Sequence, residues 1–464
     1  MPNNVLEKII INKKRELTLR KKLLSIEHIK TNVSKSNKSL FKALNNKKSD
    51  FIFECKKASP SKGLIRKNYD LEEILNIYKD YASAISVLTD NRYFQGSFAH
   101  LKKVTKTVSQ PVLCKDFFID IYQVYEARYF GADAILLMLS VLNDQQYKQL
   151  AEVARDLDLD VLTEVHDEQE MIRALNLDAK IIGINNRNLK DLTIDISTTE
   201  KLIASLPKEE HIGRIFISES GIDNHNQVKR LAPLVNGFLI GSSIMSKPDI
   251  RQQCKKLIFG VNKICGLTDI KSANAAFSQG AIYGGLIFYP KSPRYVDLEK
   301  ALEITKAVPL DYVGVFVNEP EQQLIEIASR LKLKTIQLHG HENDNYIQTI
   351  KQSLPQCEIW KAISIKNDSP ENISENMNNQ CVDHYLLDSY CENTIGGSGK
   401  AFDWSKLTTF DKENIILAGG IDTTNISEAI QLNTFALDIN SGVEDSPGIK
   451  NEIKIAEIFK ALHA

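Results

Sequence analysis

Short apolar runs alternate with longer amphipathic stretches along almost the whole chain, and this alternation leaves few folds open to it. The first set of runs is FIFEC (51–55), AISVLTD (84–90), VLCKD (112–116), DAILLML (133–139), DVLTEV (160–165), KIIGINN (180–186), RIFISES (214–220) and GFLIG (237–241), eight in all. Their apolar residues are consecutive, as expected of parallel strands buried on both faces. Between them, segments such as Leu71–Tyr81 and Asp144–Leu157 carry helical periodicity. Strict alternation of this kind makes a parallel sheet, and eight repeats close into a barrel more readily than they lie open. The pattern then restarts with VNKICG (261–266), AIYGGLIF (281–288), YVGVFV (312–317), KTIQLHG (334–340), EIWKAIS (358–364), HYLLD (384–388), NIILAGG (414–420) and FALDIN (435–440), eight more. The architecture repeats at a period of roughly 200 residues, while the sequence does not.

The fold expected is therefore two consecutive (βα)8 TIM barrels, residues 1–258 and 259–464. The length of 464 residues accommodates both, since such barrels run to about 250 residues as single units. Val5, Ile9, Ile10 and Leu17 fall near helical spacing, so an extra N-terminal helix is expected, then a looser stretch to about residue 50. The basic run Lys13–Lys22 reads as a solvated face of that helix. The junction Asp249–Gly260 is a helical pattern closed by Gly260. The next strand follows at once without a Gly/Ser or Pro-rich linker, which predicts a stiff connection. Ile365–Asp383 reads as a polar, Asn-rich loop or short helix.

Composition removes several function classes. The net charge of −1 gives no reason to expect nucleic acid or an anionic membrane as partner. No segment approaches the roughly 20 apolar residues of a membrane helix. The N-terminus MPNNVLEKIIINKKREL has charges within its apolar stretch and no cleavage-site pattern, so no secretory signal is expected. Seven cysteines, scattered and without a CxxC pair, do not suggest a disulfide framework or zinc ribbon. A reducing cytoplasm is the expected compartment.

In such barrels the active site lies at the C-terminal strand ends. The first barrel places polar groups there on strand after strand. They are Glu54, Lys56 and Ser59 in ECKKASPSKG, Lys115, Glu164, Asn185 and Arg187 in NNR, Glu219-Ser220-Gly221, and Gly241-Ser242. Taken singly, a Lys or Glu in such a place is commonly a surface ion pair. Taken together, charged groups at the same end of successive apolar strands are too costly to desolvate unless they are paired or working. Lysines and glutamates sharing a cavity shift one another's pKa values and so provide an acid and a base near neutrality. The small residues after strands seven and eight suit a phosphate.

ECKKASPSKG, VLCKDF, LTEV, GINNRNL, SESGI and GFLIGSSIM closely resemble indole-3-glycerol-phosphate synthase, over about residues 1–258. The resemblance implies closure of the indole ring of 1-(2-carboxyphenylamino)-1-deoxyribulose 5-phosphate with loss of CO2 and water. By motif, Lys115 would be the general acid that promotes attack on the ribulose carbonyl. Glu164 would serve dehydration as base or acid–base partner. Lys56 would bind the substrate carboxylate and could share proton transfer. Glu54 and Asn185 would orient the lysines and substrate hydroxyls, and Glu219 and Ser220 would line the site. Ser59, Gly221, Gly241 and Ser242 would border the phosphate, with Arg187 a further substrate contact.

The second barrel carries different groups. Its first strand ends in Cys265, a residue that alone would read as a small buried hydrophobe. Its neighbours at other strand ends are Arg294 in SPRY, His339 in QLHG, Asp388 in LLDS, the Gly-rich loop GGSGKAFDW (396–404), Gly420, and Ser441-Gly442 in DINSG. A thiol and a carboxyl across a cavity can move a proton between adjacent carbons. Cys265 would then act as thiolate, which requires a lowered pKa. A nucleophilic Cys265 is the competing reading, and no His base lies next to it in sequence.

KICGLT, GGLIFYPKSPRYV, VGVFVN, IQLHG, LLDS, GGSGKAFDW, LAGGI and DINSGVEDSPGIK look like phosphoribosylanthranilate isomerase, over about 259–464. That resemblance implies an Amadori rearrangement producing the first barrel's substrate. Cys265 would remove the proton from ribose C2, Asp388 would protonate the furanose oxygen, and Arg294 would hold the anthranilate carboxylate. Gly397, Gly399, Gly420, Ser441 and Gly442 would surround the phosphate and closing loop, with His339 near the substrate. The order of the halves resembles the fused form found in enteric bacteria. A metal-free, cofactor-free monomer acting on small phosphorylated molecules is expected, with no HExxH motif in the sequence. The alternatives are a single active barrel, a non-catalytic phosphate-binding scaffold, or the ribosyl rearrangements of histidine synthesis. Charged groups at strand ends argue against the scaffold. Lys and Glu in place of paired Asp argue against the last.

Overall fold

A computed structural model describes residues 5–463 except 47, 189–190, 366–376, 390–401 and the side chains of 408–409. Strands β1 (Asp50–Cys55), β2 (Ala84–Leu88), β3 (Val112–Lys115), β4 (Ala134–Met138), β5 (Asp160–Val165), β6 (Ile181–Asn185), β7 (Ile215–Glu219) and β8 (Gly237–Ile240) form one closed parallel barrel. It closes with Asp50 opposite Gly237 and Phe53 opposite Ile240. Strands β9 (Asn262–Ile264), β10 (Tyr283–Ile287), β11 (Asp311–Phe316), β12 (Thr335–Leu338), β13 (Glu358–Ile365), β14 (His384–Ser389), β15 (Ile415–Leu417) and β16 (Ala436–Ile439) form a second. There Lys263 stands opposite Asp438 at the closure. Each apolar run became a strand because one face looks into its barrel and the other meets the helices.

The helices follow from capping and periodicity. Leu71–Tyr81 buries Leu71, Ile74, Leu75 and Tyr78, and the Asp70 side chain accepts the N–H groups of Glu72 and Glu73. The helix Asp144–Asp156 begins with a reciprocal cap between Asn143 and Gln146. Helix Ile250–Phe259 ends before Gly260, whose φ of +70° a side chain would strain. The chain divides into two compact units, one up to Leu257 and one from Ile258 to His463. Among the described residues, no helix is long and apolar enough to cross a membrane. Of the Asn-rich stretch, residues 366–376 lie outside the described residues, and β13 runs to Ile365.

The N-terminal region differs from the sequence reading in two ways. After the first helix, α1 (Val5–Leu23), the expected loose stretch contains the helix Ile26–Asn32 and the turn Leu40–Ala43, capped by Ser25 and Ser39. The basic run is also not a uniformly solvated face. Lys13 is fully buried. Its Nζ lies 2.8 Å from carboxylate oxygens of both Asp90 and Asp116 and 3.0 Å from Glu16. Burial alone would lower its pKa, but Asp116 and Asp90 hold it above the usual lysine value. Arg20 pairs with the buried Glu126. The partners come from the barrel, and so the helix's charge pattern could not reveal them.

Candidate active sites

The strand ends of the first barrel open into a cleft of about 1200 Å³, counting its mouth. Glu54, Lys56, Ser59, Lys115, Glu164, Asn185, Arg187, Ser220, Gly221, Gly241 and Ser242 all line it. Its charged floor is a network. Lys115 Nζ lies 2.5 Å from Glu219 and 4.0 Å from both Glu54 and Glu164. Lys56 pairs with Glu54, which is completely buried. Glycine makes room for these carboxylates, since a Cβ at Gly183 would meet Glu219 Oε1 at 2.0 Å and one at Gly241 would meet Glu54 Oε2 at 2.5 Å.

The network separates the carboxylates by charge state. Glu54 is buried, which would raise its pKa, but Lys56 and Lys115 bring it below the ordinary glutamate value. Glu164 is pushed up to about 7, by burial first and by Glu219 second, against the pull of Lys115. Burial would lower Lys115, yet Glu219, Glu54 and Glu164 keep it above the usual lysine value, so it is an ammonium. Asn185 Oδ1 accepts the Arg187 N–H at 2.9 Å, and Arg187 Nη1 donates to Leu192 O at 2.9 Å.

Ser220 has φ of +67°, unusual for a residue with a side chain, and Gly221 follows at +81°. Asn186 Nδ2 donates to Ser220 O at 3.1 Å and holds this bend. Across the cleft, Gly241 precedes the one-turn helix Ser242–Met245. Ser59 Oγ accepts the Lys62 N–H at 3.2 Å.

The cleft also has an apolar wall, and sequence reasoning missed it. Leu88, Phe94, Phe117, Leu136, Leu192 and Leu239 contribute from the barrel, and Val5, Leu6 and Ile9 from α1. The signal was present in Val5 and Ile9, whose spacing marked an apolar helix face without saying what it covered.

In the second barrel, Cys265 follows β9 and is buried. Lys263 Nζ donates to its Sγ at 3.1 Å, to Gln337 Oε1 at 2.8 Å and to Asp438 Oδ2 at 2.7 Å. Gln337 Nε2 lies 3.2 Å from His339 Nδ1, and His339 Nε2 lies 3.5 Å from Asp388 Oδ2. A run of polar contacts thus connects the thiol with Asp388. Asp388 Oδ1 accepts the Ser389 N–H at 2.8 Å. Among the described residues, buried His339 Nε2 and Asp438 Oδ1 have no hydrogen bond.

The thiol departs from the lowered pKa that a thiolate was expected to need. Burial raises it, and Lys263 only partly offsets that. Arg294 is also more constrained than a free anion-holder. Glu444 accepts from its Nε at 2.9 Å and its Nη2 at 2.7 Å, while Nη1 has no hydrogen bond among the described residues. Gly419 and Gly420 both have positive φ, +80° and +68°. A Cβ on Gly442 would stand 2.0 Å from Ile421 O, so the turn Ser441–Val443 lies against the loop after β15. Gly397 and Gly399 lie outside the described residues.

Residues 6–257 match the family model of indole-3-glycerol phosphate synthase, and residues 262–461 that of N-(5'-phosphoribosyl)anthranilate (PRA) isomerase. The tryptophan biosynthesis protein TrpCF of Yersinia pestis is 47% identical over 459 residues, 99% of this chain and 94% of that protein. TrpCF of Buchnera aphidicola subsp. Schizaphis graminum is 47% identical over 463 residues, covering both chains completely. The chain belongs to the TrpCF family. It is a bifunctional enzyme of tryptophan biosynthesis, a carbon–carbon lyase joined to an isomerase. The phosphoribosyl anthranilate isomerase structure from Thermotoga maritima is 33% identical, covers 44% of this chain and 98% of its own, and has a TM-score of 0.40.

The sequence reading passed over Lys263, which contacts the Cys265 thiol. It sits two positions before Cys265 in KIC, the spacing that puts two side chains on one face of a strand.

Proposed function

We propose that the two reactions use separate acid–base sets, one in each barrel, divided near residue 258. In the C-terminal barrel Cys265 removes the C2 proton of N-(5-phosphoribosyl)anthranilate, and Asp388 protonates the ring oxygen as the furanose opens. Arg294 takes the anthranilate carboxylate through Nη1, its other edge being held by Glu444. Gly420, Ser441 and Gly442 take the phosphate.

In the N-terminal barrel Lys115 is the acid. Its ammonium stands where charge develops on the ribulose oxygen during ring closure. Glu164 then serves the dehydration, and a carboxyl with a pKa of about 7 exchanges protons readily at neutral pH. Lys56 binds the carboxylate that leaves as CO2. The apolar wall takes the aromatic ring, and the backbone around Ser220, Gly221, Gly241 and Ser242 takes the phosphate. The observation that carries this reading is Glu164, a carboxyl tuned to neutrality beside a permanent ammonium. The enzyme is read as a cytoplasmic monomer that needs no metal.

The test is to supply phosphoribosylanthranilate and follow the intermediate and the fluorescent indole product separately. The intermediate should accumulate when Lys115 is replaced and should not form when Cys265 is replaced. Loss of the intermediate in a folded Lys115 variant, or failure of a folded Cys265 variant to form the indole product from separately supplied intermediate, would overturn the assignment.

A further inference from the structure

The interior of the second barrel holds a charged layer that the roles above leave unused. Lys263 and Cys265 point into the barrel from one strand, and Lys263 is fully buried. Its three acceptors, Cys265 Sγ, Gln337 Oε1 and Asp438 Oδ2, match the three N–H donors of an ammonium. The arrangement is over-determined. Asp438 stands in register with Lys263 on the adjacent β16, and Gln337 comes from β12. The backbone of β10 closes over the pair, since a Cβ at Gly285 would lie 2.6 Å from Cys265 Sγ and 2.8 Å from Lys263 Cε.

A buried ammonium is costly to desolvate unless its charge is used or paired. Asp438 supplies one negative charge and Gln337 none. The third acceptor is the sulfur, which is the poorest acceptor as a neutral thiol and a strong one as an anion. We propose that Lys263 is a positioning residue of the isomerase, holding Cys265 Sγ in place and stabilising it as the thiolate. This rests on the reading of Cys265 as the base.

Other charged groups surround the sulfur and set the expected signs. Lys263 on its own strand and Lys450 after β16 favour the thiolate against the larger effect of burial, and Asp438 adds to that of burial. Arg294 lies beside the adjoining Gly266, paired with Glu444, and His339 reaches the layer through Gln337, with Asp388 beyond it. Removing Lys263 and removing Asp438 should therefore move the thiol in opposite directions, which a purely structural ion pair would not do.

The experiment uses the full-length protein and two readouts. One is the pH dependence of iodoacetamide alkylation of Cys265, measured by mass spectrometry on its peptide. The other is the pH profile of isomerase kcat/KM. Lys263→Met should raise the apparent thiol pKa by at least about one unit and lower kcat/KM at neutral pH by about tenfold per unit. Asp438→Asn should shift the thiol downward. Lys263→Arg, which keeps the cation, should recover most of the wild-type profile. The synthase rate should stay within twofold in all three. An unchanged alkylation profile in folded Lys263→Met, or shifts of the same sign in Lys263→Met and Asp438→Asn, would overturn the proposal. If Lys263→Met does not fold, the direction of the Asp438→Asn shift decides. Cys265→Ala separates the two ideas. If it retains isomerase activity the base assignment falls, whereas the alkylation series reports the Lys263–thiol coupling regardless.

Discussion

Both barrels set an ammonium near their reactive group, but they tune that group by opposite means. In the first, two lysines face three carboxylates, so negative charge is in excess and one glutamate cannot easily ionise. Crowding by Glu219 joins burial in lifting Glu164 to about 7. In the second, burial and Asp438 lift a thiol, and Lys263 and Lys450 restrain it. On the proposed roles, like-charge crowding suits a group that exchanges protons in successive acid and base steps, and a cation beside a buried thiol suits a base for a single abstraction. The same scaffold thus supports two chemistries because its inward layer of polar side chains can be changed without altering the strands.

The comparison breaks most directly if the chemistry is not separable. Lys115→Ala should lower indole-3-glycerol phosphate formation by about 10²–10⁴-fold and leave the isomerase rate within twofold. Cys265→Ala should do the reverse on the same scale, and separate assays of each step decide both. Next in size is the α1 anchor. Lys13→Met leaves Asp90 and Asp116 buried without their cation and should cost the first barrel about 3–5 kcal/mol, read as an earlier first transition in urea. The isomerase should survive in that variant.

The smallest effect is the most specific to the contrast. If crowding tunes Glu164, synthase kcat/KM should carry an ionisation near pH 7 that Glu164→Gln abolishes, while the isomerase profile keeps its shape. A stability effect accompanies it. The folded-state pKa of Glu164 lies above its ordinary value of 4.5, so its contribution is intact below that pH and is lost as pH rises through about 7. Thermal melts should therefore show Glu164→Gln losing less stability than the parent between about pH 5 and pH 8.

Much of this molecule can be read from its chain, for a physical reason. A strand buried on both faces must be apolar at successive positions, so each of the barrel strands announces itself locally. Charged groups that interrupt such runs at one end, such as Lys115 and Glu164, stand out for the same reason. Lys263 and Lys13 did not. Each lies in a local context that explains it away, a strand start for one and a lysine-rich helix for the other. Their meaning depends on Asp438, Asp90 and Asp116, which are distant in sequence and come close only when the barrels close. The apolar wall was hidden likewise, because Phe94, Phe117 and Leu192 belong to separate segments that come together only at the cleft.

The seating of α1 also has a consequence for the order of events during synthesis. The helix leaves the ribosome before the barrel strands, and the carboxylates that accept Lys13 are made later, at Asp90 and Asp116. Until then its ammonium has only Glu16 beside it and belongs in water, and Val5, Leu6 and Ile9 have no cleft to cover. The helix is thus held in waiting until the third strand has emerged. A nascent chain halted before Asp116 should expose α1 to proteases, and one halted after β8 should protect it.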